Sequence, residues 1–270
     1  MAQLDQALAD IRALERLALQ SGPVQRLDAR AKTLVTAAFL VTVVSFSKYE
    51  VAGLVPLCLY PVVLLSLSRV PLGVILRHLA LAAPFAVLVG LFNPLLDRTV
   101  AVHWGELAVS SGWLSFLSII IRFLLTVSVA LALLAGTGFP ELSAGLGRLG
   151  LPRLLVTQFL LLHRFIFIIP EEAQRMKLAY ELRSRRTRGM PIRIWGSLAG
   201  LLLLRAYDRG RRVHTAMLSR GFDGTMRSLS SRRWSWADTG FLLGSLSFLA
   251  LVRFAAPAEL LGRWLLGIVR

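Results

Sequence analysis

The chain has 270 residues, 56% of them hydrophobic and only 17% charged, with 31 Lys and Arg against 15 Asp and Glu. So apolar a chain is not disordered, and a formal net charge of +16 argues against a plain soluble enzyme. A nucleic-acid binder would account for the charge but not for a mean hydropathy of +0.65, whereas a membrane protein with its charge on one side of the bilayer accounts for both.

Cys58 is the single cysteine, which excludes an intrachain disulfide and a Cys-based zinc or iron–sulfur cage. No secretory signal peptide is expected, because the first twenty residues are too charged for an apolar h-region. Instead Leu4, Leu8, Ile11, Leu14 and Ala18 recur at spacings of three and four. They predict an amphipathic helix over residues 2–20, lying on the membrane surface. Five apolar segments follow, each read against the roughly 20 residues that a spanning helix needs. They are Thr33–Ser47, Val51–Ser68, Leu79–Leu96, Trp113–Gly136 and Thr239–Ala258. Asn93-Pro94 is expected to end the third. Arg122 interrupts the fourth and Arg253 the fifth. A charge in mid-span costs about 2.5–3.5 kcal/mol, so Arg122 should face protein or water. An ion pair or carbonyl contact within the bundle is the simpler expectation, and a contact with a partner subunit the other.

Between the fourth and fifth spans lie about a hundred residues whose apolar runs, Leu154–Leu162 and Ile194–Leu204, are too short to cross. From Glu171 to Arg233 there are fifteen Lys and Arg against five acids, a local balance of +10. The resulting expectation is an all-α polytopic membrane protein with about five transmembrane helices. An N-terminal arm (1–30) precedes a four-helix membrane region (31–136). A cytoplasmic helical region (137–237) separates it from the last span and tail (238–270). A sixth span arises if Ile192–Arg205 enters the bilayer. Loop charges place the N-terminus in the cytoplasm and the C-terminus outside.

Several chemistries are missing. None of the three lysines, Lys32, Lys48 and Lys177, follows a glycine, so the chain has no GxxxxGK[ST] phosphate loop. His78, His103, His163 and His214 form no i, i+4 pair, and neither a bound metal nor another cofactor is expected. The alternative of a membrane-embedded CAAX-type protease rests on Glu171, Glu172, Arg175 and His163. Its EExxxR spacing is one residue short, and its FxxxH lies on the wrong side of the acidic pair. A helix start at Pro170, with both glutamates favouring the N-terminal dipole, is the simpler expectation. A peripheral scaffold using the arginines on anionic headgroups is a third reading.

Two segments in the basic stretch are alike: Ala179-Tyr-Glu-Leu-Arg183-Ser184 and Ala216-Met-Leu-Ser-Arg220-Gly221-Phe222. On a helix each Ala and Arg share a face one turn apart. The Arg complements the C-terminal dipole, and Gly221 can adopt the left-handed conformation that stops a helix. Such an end offers a guanidinium beside a smooth patch, suited to a partner groove with acidic or carbonyl acceptors.

These motifs resemble those of the transmembrane T component of energy-coupling-factor (ECF) transporters, in particular the CbiQ-like group of cobalt importers. Arg26-Leu27-Asp28-Ala29-Arg30-Ala31-Lys32 is similar to the family's LDPRTK-like lead-in to its first span, with Ala29 for the usual Pro. Leu151-Pro152 and His163-Arg164-Phe165-Ile166 are similar to its P…YRYI segment, with His163 where Tyr is common. The paired Ala-Arg-Gly motifs follow, with Ser184 for Gly in the first. The resemblance implies a non-catalytic subunit of a cobalt or nickel importer. Its partners would be two CbiO-like ATPases, a CbiM-like substrate-binding membrane subunit, an optional small CbiN-like subunit and membrane lipid, with no nucleic acid. Arg183 would serve one ATPase and Arg220 the other, with Ala179, Ser184, Ala216 and Gly221 shaping the contacts.

Overall fold

The computed structural model describes residues 22–254 apart from 48–49, 69, 97–99, 105–106, 185–189 and 227–233, together with 6, 9, 12–13 and 15–19. Eight α-helices are delimited within them: α1 (Ala29–Ser45), α2 (Leu59–Ser68), α3 (Leu72–Leu96), α4 (Ser111–Thr137), α5 (Phe139–Arg148), α6 (Arg153–Arg183), α7 (Ile192–Leu218) and α8 (Trp236–Phe254). The described residues of the N-terminal arm up to residue 18 are helical as well. The loop expected between the third and fourth spans instead contains a short antiparallel hairpin, β1 (Val100–Trp104) and β2 (Leu107–Ser110), with Trp104 opposite Leu107. The chain divides into two compact units. One gathers Met1–Ala13 with Phe139–Ser231; the other gathers Leu14–Gly138 with Arg232–Arg270.

Four helical segments among the described residues are long and apolar enough to cross a membrane: Gly73–Pro94, Ser111–Thr137, Arg153–Arg183 and Trp236–Phe254. Three of them overlap expected spans, whereas Arg153–Arg183 contradicts the expectation that the apolar runs between the fourth and fifth spans are too short to cross; the helices at the first two expected spans are shorter. Val51–Ser68 is not one continuous α-helix. Two 3₁₀ turns, Ala52–Leu54 and Pro56–Cys58, lead into the ten-residue α2. Pro56, at the start of the second turn, has no backbone N–H to give to an α-helical ladder. The first helix starts four residues before Thr33, because Asp28 caps it by accepting from the Arg30 N–H at 2.8 Å. Asn93-Pro94 lies in the last turn of α3, which ends at Leu96. The helix expected to begin at Pro170 begins at Arg153, and Pro170 is internal to it. α6 continues through the hydrogen bond that Pro170 cannot make.

In the second unit α1 is the centre. Val35, Phe39 and Val43 are fully buried and pack with Leu54, Leu57, Val129 and Val252. Phe39 stacks on Tyr60 at 5.0 Å between centroids. The outer faces of α2 and α3 expose Val62, Leu76, Leu81, Phe85 and Phe92, as expected of surfaces that meet hydrocarbon rather than water.

Charged side chains fasten both ends of α1. At its start, the Asp28 backbone N–H donates to Asp238 Oδ1 on α8 at 2.7 Å, and Asp238 Oδ2 accepts from the Ser235 N–H at 2.7 Å. Asp28 also takes a two-pronged bond from Arg30, both contacts at 3.1 Å. Lys32, buried, reaches the Gly136 carbonyl at the end of α4 at 2.9 Å. At its finish, Arg122 of α4 donates to the carbonyls of Phe46 (3.0 Å) and Ser47 (2.6 Å). Arg253 of α8 donates to Ser45 Oγ at 3.0 Å and lies over the Phe46 ring. Arg122 therefore makes the carbonyl contact within the bundle. These bonds make α4 antiparallel and α8 parallel to α1, the relation expected of the first, fourth and fifth of five spans.

Asp238→Ala strands the buried Asp28 backbone donor and removes the acceptor of the Ser235 N–H. It should destabilise the full chain by about 1–3 kcal/mol, read as a lower melting temperature in detergent, whereas the exposed Asp208→Ala should change stability by less than about 0.5 kcal/mol.

Candidate functional site

The two Ala-Arg motifs sit at the C-terminal ends of α6 and α7. Each of these helices starts directly after a proline, Pro152 and Pro191, whose fixed φ suits a helix entry. Ala179, Arg183, Ala216 and Arg220 are all exposed, and Leu178, Leu182 and Leu218 lie uncovered beside them. Each end thus offers a cation next to a low apolar patch.

The two ends are built differently. After α7, Gly221 has φ +77°, Phe222 N–H bonds the Met217 carbonyl and Gly221 N–H bonds the Leu218 carbonyl, both at 3.0 Å. This is the paired 6→1 and 5→2 pattern of a Schellman stop, with Gly221 in the left-handed position it requires. The next turn is fixed as well. Asp223 Oδ1 accepts from the Thr225 N–H (3.0 Å) and hydroxyl (2.6 Å), and Gly224 has φ +84°. The Gly224 carbonyl accepts from Thr157 Oγ1 of α6 at 3.0 Å. Arg220 therefore projects from a backbone locked on both sides. After α6, Ser184 is extended (φ −92°, ψ 127°), and its N–H bonds the Tyr180 carbonyl at 2.9 Å. Serine suffices there because no left-handed residue is used.

The six motif residues do not form one site. Arg205 of α7 bonds Glu172 of α6 at 2.6 Å, while Thr157, near the start of α6, meets Gly224, just past α7. The helices are antiparallel. Arg183 is about 16 Å of helix beyond Glu172, and Leu218 about 20 Å beyond Arg205 in the opposite direction. The two arginines occupy opposite ends of the helical pair. The tie through Thr157 was not read from the sequence, although Asp223-Gly224 is a turn signal that marks its position.

The residues of the protease alternative do not converge on a metal. Glu171 pairs with Arg12 at 3.4 Å and Glu172 with Arg205. His163 stacks on Phe139 at 5.3 Å and meets the edge of Phe167 at 5.6 Å. Among the described residues, no group of three or more His, Cys, Asp or Glu side chains is placed to hold a metal ion.

The apolar helices, taken with the relatives that follow, define a multi-pass integral membrane protein. A family model described as the cobalt transport protein CbiQ matches residues 20–232, a stretch that includes both motifs, and the chain belongs to that family. It is 26% identical over 243 residues to an uncharacterized protein of Methanocaldococcus jannaschii, covering 86% of this chain and 82% of the other. It is 40% identical over 93 residues to the cobalt transport protein CbiQ of Rhodobacter capsulatus, 34% of this chain and 38% of that one. It is 31% identical over 102 residues to the nickel permease LarQ of Lactiplantibacillus plantarum, 38% and 37% of the two chains.

Gly221→Ala places a Cβ at φ +77° and should cost about 1–2 kcal/mol, seen as faster amide hydrogen exchange at Phe222. Ser184→Gly, at an ordinary negative φ, should leave exchange around its own helix end nearly unchanged.

Proposed function

We propose that this chain is the non-catalytic T component of an ECF-type importer for cobalt or nickel. The observation that carries this reading is the pair of exposed Ala-Arg helix ends facing away from each other on one antiparallel pair. That arrangement suits two separate ATPase subunits, one receiving Arg183 and the other Arg220, with Ala179, Ser184, Ala216 and Gly221 admitting each groove. A CbiM-like membrane subunit would hold the ion, with a small CbiN-like subunit as an optional further part.

The unit built around α1 supports a cytoplasmic position for α6 and α7. Gly136 and Asp238 both bond the beginning of α1, so the chain leaves that unit and returns to it at the same face. If α6 crossed the bilayer, α7 would have to cross back. Arg193, Arg205, Asp208, Arg209, Arg211 and Arg212 make α7 unsuited to that. The arginine-rich pair then lies on the basic, cytoplasmic side.

Closure of the ATPase pair would shift the two helix ends and pass motion to the membrane helices, with Pro170 as a flexing point within α6 and Gly189–Pro191, of which Gly189 lies outside the described residues, as the joint before α7. Cobalt and nickel stand together here because the relatives include both a cobalt transport protein and a nickel permease. Arg183→Glu and Arg220→Glu, made separately and expressed with the neighbouring transporter genes, should each lower ATPase co-purification and metal uptake by about tenfold or more. Wild-type assembly and uptake in both variants would sink the docking role.

A further inference from the structure

We propose that the cleft between α6 and α7 is a binding site for the phosphate of an anionic phospholipid headgroup. The cleft, about 260 Å³, is lined by Ile168 and Ile169 on one helix and Arg205, Arg209 and Arg212 on the other, with Glu172 its single acid. The three arginines fall at spacings of four and three, one stripe of α7. Arg205 is satisfied by Glu172 at 2.6 Å. Arg209, half-buried, and Arg212 make no ion pair among the described residues. The cleft therefore holds an excess of two positive charges. A half-buried guanidinium without a counter-charge is costly, and the two non-bridging oxygens of a phosphodiester offer the two-pronged acceptor set that fits a planar guanidinium and offsets that cost.

The surroundings favour a lipid over a free phosphate. Just before the arginines α7 exposes Leu201, Leu203 and Leu204, and at their level Tyr207. An apolar tier, an aromatic residue and then a cationic tier is the order met on passing from acyl chains to headgroups. Asp208, exposed, is the nearest other acid on α7 but does not line the cleft. The proposal does not depend on the coupling role of Arg183 and Arg220.

The test uses the full chain in neutral detergent, titrated with phosphatidylglycerol or phosphatidylcholine, with bound lipid counted by native mass spectrometry. Phosphatidylglycerol should be retained in preference to phosphatidylcholine. Arg209→Gln and Arg212→Gln should each reduce that preference about fivefold, while Arg175→Gln, outside the cleft, leaves it unchanged. The Arg209→Lys/Arg212→Lys pair keeps the charge and should keep most of the preference, which separates lost binding from lost folding. An undiminished preference in the Arg209→Gln/Arg212→Gln double variant overturns the site. Displacement of phosphatidylglycerol by millimolar inorganic phosphate overturns the lipid in favour of a free anion. Loss of ATPase co-purification in that double variant, with lipid preference intact, assigns the cleft to a protein partner and likewise overturns the proposal.

Discussion

The membrane unit depends on how α1 is tied at its two ends. A helix in hydrocarbon cannot leave terminal carbonyls bare, and here other helices supply the donors. Lys32 of α1 bonds the last turn of α4, and Arg122 of α4 bonds the backbone just beyond α1. The exchange is reciprocal. Each cation sits at the negative end of its neighbour's dipole, which favours the antiparallel arrangement electrostatically as well as sterically. Arg253 and Asp238 add α8, parallel to α1, to the same two ends. Four charges that would be costly in an apolar bundle thereby fix the direction of three helices.

That parity constrains the rest of the chain. α4 ends and α8 begins at the same end of α1, so whatever lies between must make an even number of crossings. The length and apolar character of α6 alone would allow a crossing, but α7 cannot return through lipid with its arginines charged. The cytoplasmic position proposed for the pair needs no crossing, and the exposed apolar side chains of α6 and α7 then call for partner surfaces.

The sequence made the class and most of the spans legible, because uninterrupted apolar length is a strong signal. Ser111–Thr137 nearly coincides with the expected Trp113–Gly136. Val51–Ser68 is legible as an apolar segment, but its two 3₁₀ turns are not, because hydropathy does not register the donor that Pro56 lacks. α6 was cut short for a related reason. His163 and Arg164 look like an end in a charge count, and Pro170 like a beginning, yet the helix runs through all three. At the motif ends, Gly221 was readable as a left-handed stop because little else occupies that conformation. The Thr157–Gly224 bond was not, since no local pattern announces a contact between residues so far apart in the chain. Arg122 was legible as a charge needing a partner, but its partners are backbone carbonyls, which a sequence displays at every position.

The two ends of α1 are held by different chemistry. The finish is bonded by guanidinium groups to carbonyl and hydroxyl oxygens, while the start relies on two carboxylates. A guanidinium offers several donors to oxygens that each keep a further lone pair, whereas each carboxylate at the start serves a backbone N–H that has only one bond to give. Loss of a single contact is therefore absorbed more easily at the finish of α1 than at its start.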